Sequence, residues 1–563
     1  MLRASQPILG RPGLEWTFWL AAAACVLARL ALTSDLSVEI TFAPWDDSLY
    51  VKRAHHLLAG EAFGPYDGRL LGKYPGISLW IAGVRMLGIP FLVSVNALYV
   101  GAGVYFAAAL LRCGVSRWLV LVSFALYLFN PITFGYEWIR AIREPLATGL
   151  MVLMIAAIAH VLAGLREGRV PWGHLAVFAP VFAFSLFVRE DDRLLWALPV
   201  LFAAAVTGYA ARRRPLAPQW MVFAAAAVIA PAMLGAAYEY ALRAYIERHY
   251  GLPTLHELSE GEYPRLLAAI RSIRTAKDNR MVMVPQAALE KLRTEAPSFG
   301  PVVDRLPKPH GGTWSCELHG VCSEWSNGWI PFMIKDEAFR AGLTPNLAAG
   351  QAYFKRVRSE IERACSERRL ACIDKGTGLV PPMELRWTQA YLSEGWRIAK
   401  LALAPDNNAI PEVPVTYRVP LELGRLYQAA TMTDYFDTEL QSRLGERPAS
   451  RLYVNPLADL RATLRSPYLL AGSALIIAAL AALAARSWIA HRLPLGPLAL
   501  AAWVFVLYSA FKLAALSYVA VFMGGFTARL VFPTYAVLII LALPLIAEAI
   551  LAIRGTPRRN VTP

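Results

Sequence analysis

The stretch that decides the fold is residues 43–81, APWDDSLYVKRAHHLLAGEAFGPYDGRLLGKYPGISLWI. It follows the first long apolar run of the chain and opens with two adjacent carboxylates, Asp46 and Asp47. Apolar residues then recur at helical spacing over 50–58 and again over 77–84, with a Gly/Pro-rich turn between them. The polar residues of the first stretch lie off its apolar face, namely Lys52, Arg53, His55 and His56. This pattern predicts two amphipathic helices that lie at a membrane surface.

Composition predicts that the rest of the chain is embedded in a membrane. Hydrophobic residues make up 56% of the 563 residues and charged residues 17%. A helix needs about 20 apolar residues to cross a bilayer, and about ten runs approach that length. They fall at 14–34, 90–112, 118–135, 146–165, 173–189, 193–211, 219–240, 467–486, 496–520 and 530–553. The sequence therefore predicts an all-α polytopic membrane protein, with an uncleaved first span.

The net charge of +15 does not indicate a nucleic-acid partner here. Its arginines cluster in alternate turns between the spans, and basic turns face the cytoplasm. The residues concerned are Arg3, Arg11, Arg112, Arg117, Arg166, Arg169, Arg212, Arg213, Arg214, Arg486, Arg492, Arg554, Arg558 and Arg559. We therefore expect both termini in the cytoplasm, with 43–81 and 241–466 outside. The chain also lacks a phosphate-binding P-loop and an H-E-x-x-H zinc motif.

Three parts of the chain are expected. Residues 1–240 form an N-terminal transmembrane module with a first outer loop at 35–89. Residues 241–466 lose the long apolar runs and should form a mainly helical extracytoplasmic domain. Residues 467–563 return to the membrane and end in a short cytoplasmic tail.

Four of the six cysteines lie in the 241–466 region. They form two close pairs, Cys316/Cys322 and Cys365/Cys372, and an oxidising compartment favours disulfides. Four cysteines allow three connectivities, of which we expect local pairing because each pair closes a short loop. The alternative is four free thiols.

The first loop carries the residue types that group transfer needs. Either Asp46 or Asp47 could act as a general base toward an acceptor hydroxyl, and Lys73 could hold a phosphate. The structural alternatives are that the aspartates only cap a helix and that the lysine only extends toward water.

Further charged residues lie at the ends of later spans. Glu144 precedes Pro145 at the start of the fourth span, with Arg143 beside it. Arg189 lies in the turn before the sixth span, and Arg529 before the last one; Lys512 lies within the ninth. Ionisable groups at such positions are functional candidates because burying them is costly. Interface anchoring or a solvated turn would also account for Arg143, Glu144 and Arg189.

The order of these features resembles the GT-C membrane glycosyltransferases, in the branch of the protein O-mannosyltransferases and lipid A aminoarabinose transferases. That family places an acidic residue, often an Asp-Glu pair, after the first span, and Asp46-Asp47 matches it. Its Lys-Pro-Pro motif corresponds to Lys73-Tyr74-Pro75, with the first proline replaced. Its second acidic residue, which commonly precedes proline, corresponds to Glu144-Pro145. Its closing Arg-aromatic…Pro pattern resembles 529–533, with the aromatic residue displaced.

The likeness covers 14–240 best and 467–553 loosely, and it matches no domain in 241–466. It implies a GT-C bundle and an enzyme that transfers a hexose or pentose from a polyprenyl-phosphate donor, with inversion at the anomeric carbon. The acceptor would be a glycan, a lipid or a protein, on the outer face of the cytoplasmic membrane. Asp46 would be the base, and Asp47 and Glu144 would orient the substrate or a divalent cation.

In this resemblance the phosphate ligands would be Lys73, Arg143, Arg189 and Arg529, with Lys512 as a further candidate. Two other functions stay open at the level of sequence. A transporter or flippase of a lipid-linked or anionic substrate would use Lys512 and the arginines to line a path, although we find no inverted repeats. A receptor built on 241–466 would need neither the spans nor the first loop.

Overall fold

The computed structural model describes residues 12–41, 43–168, 170–211, 218–274, 279–309, 315–316, 320–373, 380, 383–405, 421–433, 456–488, 495–524 and 528–555. Part of the evidence for the topology prediction lies outside these residues, namely Arg3, Arg11, Arg169, Arg212, Arg213, Arg214, Arg492, Arg558 and Arg559.

The described chain is helical. Its longer helices are, in chain order, α1 (Pro12–Leu32), α2 (Asp47–Leu58), α3 (Gly76–Met86), α4 (Phe91–Arg112), α5 (Arg117–Leu128), α6 (Arg143–Glu167), α7 (Trp172–Ser185), α8 (Ala197–Ala211), α9 (Pro218–Tyr250), α10 (Glu262–Ser272), α11 (Gln286–Glu295), α12 (Ile330–Arg340), α13 (Leu347–Ser366), α14 (Thr388–Leu403), α15 (Leu421–Thr431), α16 (Pro456–Trp488), α17 (Pro497–Met523) and α18 (Phe532–Gly555). Its β-pairing consists of two isolated bridges.

Eight helical segments in the described residues are long and apolar enough to cross a membrane. They are formed by α4, α5, α6, α8, α9, α16, α17 and α18, and the apolar helices α1 and α7 are shorter. Each coincides with a predicted span. The predicted class, an all-α polytopic membrane protein, is confirmed.

Helix α6 lies at the centre of the bundle. It packs against α4, α7, α17 and α18, and its residues are almost all buried. A helix surrounded on every side must be apolar on every side, which explains the even hydrophobicity of 146–165. Its first turn, with Arg143 and Glu144, is therefore held rigidly in the middle of one end of the bundle.

The first loop contains the two predicted helices, α2 and α3, which pack on each other and on α15. Gly76 starts α3, and its backbone N–H donates to the carbonyl of Phe187 at 2.8 Å. A Cβ on Gly76 would lie 2.3 Å from that oxygen, so only glycine allows this approach. The contact fixes the turn at 73–75 beside the segment that leads to Arg189.

One expectation for α2 is wrong. The apolar stripe predicts that Arg53 lies away from the packed face, yet Arg53 is buried. Its guanidinium donates to the backbone carbonyls of Leu70, Lys73 and Tyr74. These acceptors come from the following turn, so the periodicity of α2 gives no sign of them. Arg53 instead holds the turn that carries Lys73.

Described residues between Leu258 and Leu370 form a second hydrophobic core, in which α10 packs against α13. The disulfides Cys316–Cys322 and Cys365–Cys372 both form, as predicted. This part is joined to the first loop by Arg69, whose guanidinium donates to both carboxylate oxygens of Asp336, at 2.8 and 2.7 Å. The boundaries at 240 and 466 stay predictions; α9 continues without a break to Tyr250.

Candidate active site

Asp46 is the residue before α2, but its side chain does not cap that helix. Its backbone angles are φ −133° and ψ −108°, and its carboxylate makes no capping hydrogen bond. Its Oδ1 accepts a long hydrogen bond of 3.4 Å from the Tyr50 hydroxyl. Capping is therefore not the role of this carboxylate in the structure.

Three cations from three distant parts of the chain surround Asp46. Lys73 Nζ and Arg143 Nη2 each lie 3.8 Å from its Oδ1, and Arg529 Nη2 lies 3.7 Å from its Oδ2. Burial raises the pKa of Asp46, but these cations and Arg140 outweigh burial and lower it to about 2. The carboxylate is therefore ionised, and its cationic neighbours lie beyond hydrogen-bond distance.

Asp47 has a different environment from its neighbour. It is fully buried, and Arg140 donates to both its oxygens, at 3.0 and 2.6 Å. Burial raises the pKa of Asp47, and the Arg140 charge opposes this. Arg140 is held in place because Glu39 N–H donates to the Ile139 carbonyl at 3.0 Å. Asp47 therefore joins the first loop to the 136–142 segment.

Glu144 lies in the first turn of α6 and is fully buried. Neither of its carboxylate oxygens has a hydrogen-bond partner among the described residues. Arg529 Nε lies 3.8 Å from Glu144 Oε1, and Arg529 Nη1 lies 3.5 Å from Glu137 Oε2. Arg529 thus faces three carboxylates, those of Asp46, Glu137 and Glu144.

Lys73 lies at the edge of this cluster, next to aromatic side chains. Its ammonium lies 5.7 Å from the ring centre of Phe332 on α12, and this ring packs edge-on against Trp45 at 4.8 Å. Burial lowers the pKa of Lys73 to about 8, although Asp46 raises it. The 258–370 core therefore contributes a residue, Phe332, to the neighbourhood of the site.

Arg189 and Lys512 complete the predicted set. Arg189 is buried and close enough to interact electrostatically with Arg143 and Glu144. Lys512 is buried within α17, a helix that packs against α6 and α8. The structure therefore gathers Asp46, Lys73, Arg143, Glu144 and Arg529 most tightly.

Sequence reasoning missed three members of this neighbourhood as site residues, Glu137, Arg140 and Phe332. The sequence does indicate Glu137 and Arg140 as candidates, because both occur in the short segment just before Glu144. It does not indicate Phe332, since its contact with Lys73 joins residues far apart in the chain.

The acidic residues of the site are not arranged as metal ligands among the residues that the structure describes. No group of three or more His, Cys, Asp or Glu side chains among the described residues is arranged to hold a metal ion. Asp47 already receives two hydrogen bonds from Arg140, and both oxygens of Asp46 face cationic side chains at 3.7–3.8 Å. These carboxylates do not fit a divalent cation in this arrangement, and a cation requirement stays a prediction.

No protein-family model matches the chain, and no curated protein matches it. Among solved structures, the chain is similar to ArnT from Cupriavidus metallidurans, crystallised in the apo state and bound to undecaprenyl phosphate. Both alignments cover 91% of this chain and 78% of ArnT, with 11% sequence identity and a TM-score of 0.27. At these values the likeness assigns no residue roles.

Proposed function

We propose that the protein is a membrane glycosyltransferase that moves a hexose or pentose from a polyprenyl-phosphate donor to an acceptor hydroxyl, with inversion. The observation that carries this proposal is the position of the Asp46 carboxylate, which faces Lys73, Arg143 and Arg529 at 3.7–3.8 Å. An ionised carboxylate among three cations at the end of a membrane bundle combines a proton acceptor with an anion-binding site.

The three cations would bind the phosphate of the donor. Guanidinium groups bind phosphate through paired hydrogen bonds, and a lysine ammonium acts as a point charge. In the transfer step the bond from the anomeric carbon to the phosphate oxygen breaks, and its electron pair stays on the phosphate. Lys73, Arg143 and Arg529 would stabilise that developing charge, which makes an acid for the leaving group unnecessary.

Asp46 would accept the proton of the acceptor hydroxyl as its oxygen forms the new bond to the anomeric carbon. A pKa of about 2 makes Asp46 a weak base in the unliganded protein. Binding of an anionic phosphate would offset the charges of Lys73, Arg143 and Arg529. The pKa of Asp46 should then rise, so the base becomes effective only when the donor is bound.

Asp47 would contribute indirectly, because its hydrogen bonds with Arg140 hold the start of α2. Glu144, buried beside Arg529, would orient that guanidinium or the acceptor. We also propose that Asp46 and Arg529 lie on the outer face of the cytoplasmic membrane, with 241–466 on the same side and both termini in the cytoplasm.

The experiment that tests the proposal is a transfer assay. The purified protein would be reconstituted in membranes and supplied with a panel of polyprenyl-phosphate pentoses and hexoses. Mass spectrometry of envelope glycans from a deletion strain would identify which sugar and acceptor to use. Transfer of one sugar, absent in membranes without the protein, supports the proposal. Movement of the lipid across the membrane without any transfer would support the transporter instead.

A further inference from the structure

Helix α14 lies along a membrane-spanning helix although its sequence is not long enough to cross a membrane itself. Its buried residues Ile398 and Ala402 pack against Leu516 and Ala520 of α17. Ser517, next to Leu516, lies six residues before the end of α17, or about 9 Å along the helix axis at 1.5 Å per residue. The contact face of α14 therefore reaches into the apolar part of the bundle.

The approach between the two helices is close. A Cβ added to Gly395 of α14 would lie 3.4 Å from the Ser517 hydroxyl oxygen, which is van der Waals contact. Val531, two residues after Arg529, also belongs to this contact. Helix α14 thus supports the turn that carries Arg529.

The C-terminal end of α14 is supplied with a hydrogen-bond donor. The Ser473 hydroxyl of α16 lies 2.9 Å from the carbonyl oxygen of Leu403 and 2.6 Å from that of Leu469, so its hydrogen is shared between them. The last carbonyls of a helix lack partners within the helix, and an unpaired carbonyl is costly in a bilayer because no water is there to hydrogen-bond it. A helix that ends within the membrane therefore needs a donor from a neighbouring helix, and Ser473 of α16 supplies one to α14.

The opposite side of α14 exposes large apolar side chains. Leu392 is 64% exposed and Trp396 is 66% exposed. The Lys400 ammonium lies 5.9 Å from the Trp396 ring centre, so this side chain extends toward the N-terminal end of the helix. At that end Arg386 stacks on Trp387, with its guanidinium carbon 4.6 Å from the ring centre. Aromatic and basic residues of this kind are typical of a membrane–water interface.

We propose that α14 is a membrane-embedded helix that dips into the leaflet on the side of Arg529, with Leu392 and Trp396 in contact with lipid acyl chains. Its partner is the bilayer itself, because the exposed stripe adjoins α17, whose Phe511 is also exposed on the membrane-spanning surface. The side of α14 that packs on α17 is apolar at Ile398, Leu401 and Ala402. The charges of Glu394 and Arg397 are paired with each other at 2.8 Å. This inference does not depend on the proposed function.

The test is the depth of spin labels in proteoliposomes of the full chain. Nitroxides would be attached to single-cysteine variants Thr388→Cys, Leu392→Cys and Trp396→Cys, in a background in which the free cysteines Cys25 and Cys113 are replaced by alanine. Glu290→Cys, on the exposed surface of α11, is the matched control. We expect the ratio of oxygen accessibility to nickel accessibility to increase from the label at 388 to the label at 396. The control label should be more accessible to the water-soluble nickel reagent than to oxygen.

Two outcomes of the spin-label experiment would overturn the proposal. Labels at 392 and 396 that are as accessible to nickel as the label at 290 would place the stripe in water. Labels shielded from both reagents would mean that a second protein chain covers the stripe. Crosslinking of the unmodified protein with a phospholipid that carries a diazirine in its acyl chain needs no variant. It should label peptide 388–403, and labelling of α17 without that peptide would equally contradict the proposal.

Discussion

Arg140 donates two hydrogen bonds, of 2.6 and 3.0 Å, to the buried carboxylate of Asp47. The neighbouring carboxylate of Asp46 has no such partner and instead faces Lys73, Arg143 and Arg529 at 3.7–3.8 Å. Two adjacent aspartates therefore have different environments. Asp47 joins the first loop to the 136–142 segment, and Asp46 is the carboxylate that we propose as the general base.

The first prediction concerns Asp47→Asn. The change removes the charge that compensates Arg140, and breaking one partner of a buried ion pair costs about 3–5 kcal/mol. We expect a clear loss of thermal stability in detergent. The matched control is Asp67→Asn in the same loop, whose partner Lys52 is half-exposed, and a pair near the surface contributes only about 0–1 kcal/mol. A stable Asp47→Asn variant without transfer activity would instead identify Asp47 as the base.

The second prediction concerns pH. The pKa of Lys73 is lowered to about 8 in the unliganded protein, mainly by burial. Below this pH the ammonium is charged and can bind the donor phosphate, and above it the charge is lost. The kcat/KM for the donor should therefore decrease as pH rises through about 8. Arginine stays charged across this range, so Lys73→Arg should lose this alkaline limb. If kcat/KM of Lys73→Arg still decreases as pH rises through about 8, another group is responsible for the decrease.

The third prediction concerns Arg529→Gln. Arg529 faces Asp46, Glu137 and Glu144, and in the proposed mechanism it also binds the donor phosphate. A hydrogen bond to a charged group contributes about 1.5–3 kcal/mol, so the KM for the donor should increase about 10- to 100-fold. The control is Arg85→Gln, at the far end of α3, where the guanidinium contacts the Ala429 carbonyl. Equal effects of both changes would argue against a phosphate contact at Arg529.

The fourth prediction concerns topology. A cysteine that replaces Arg213 should resist a membrane-impermeant maleimide added to intact cells, because basic turns face the cytoplasm. A cysteine that replaces Glu290 should react with it. Labelling at 213 from outside would reverse the assignment of both membrane faces.

The membrane bundle was predictable from sequence because long apolar runs have few alternative structures. Each predicted span coincides with a helix, and the even burial of α6 explains its uniform hydrophobicity. The two disulfides followed from close spacing in the chain.

The partners within the site were less predictable, because they depend on contacts between distant residues. Asp47 and Arg140 are 93 residues apart in sequence, and no local pattern indicates which of two adjacent aspartates Arg140 would bind. Arg53 was misassigned for the same reason, since its acceptors are carbonyls of a later turn. Periodicity reports which face of a helix is apolar. It does not report which buried polar groups find partners.

The most direct test of the central claim is the turnover of Asp46→Asn. Asparagine keeps the size of the side chain and caps helices about as well as aspartate, but it cannot accept the proton. Loss of a general base lowers the rate about 10²–10⁴-fold. The variant also removes the negative charge that faces Lys73, Arg143 and Arg529. Donor binding should therefore be kept or strengthened, while kcat decreases.

The measurement is kcat for sugar transfer by Asp46→Asn in purified membranes, beside the unmodified protein and the Asp67→Asn control at equal thermal stability. Our account predicts a loss of at least about 100-fold in Asp46→Asn alone, without an increase in the KM for the donor. Transfer within a few-fold of the unmodified protein would contradict the assignment of Asp46 as the base.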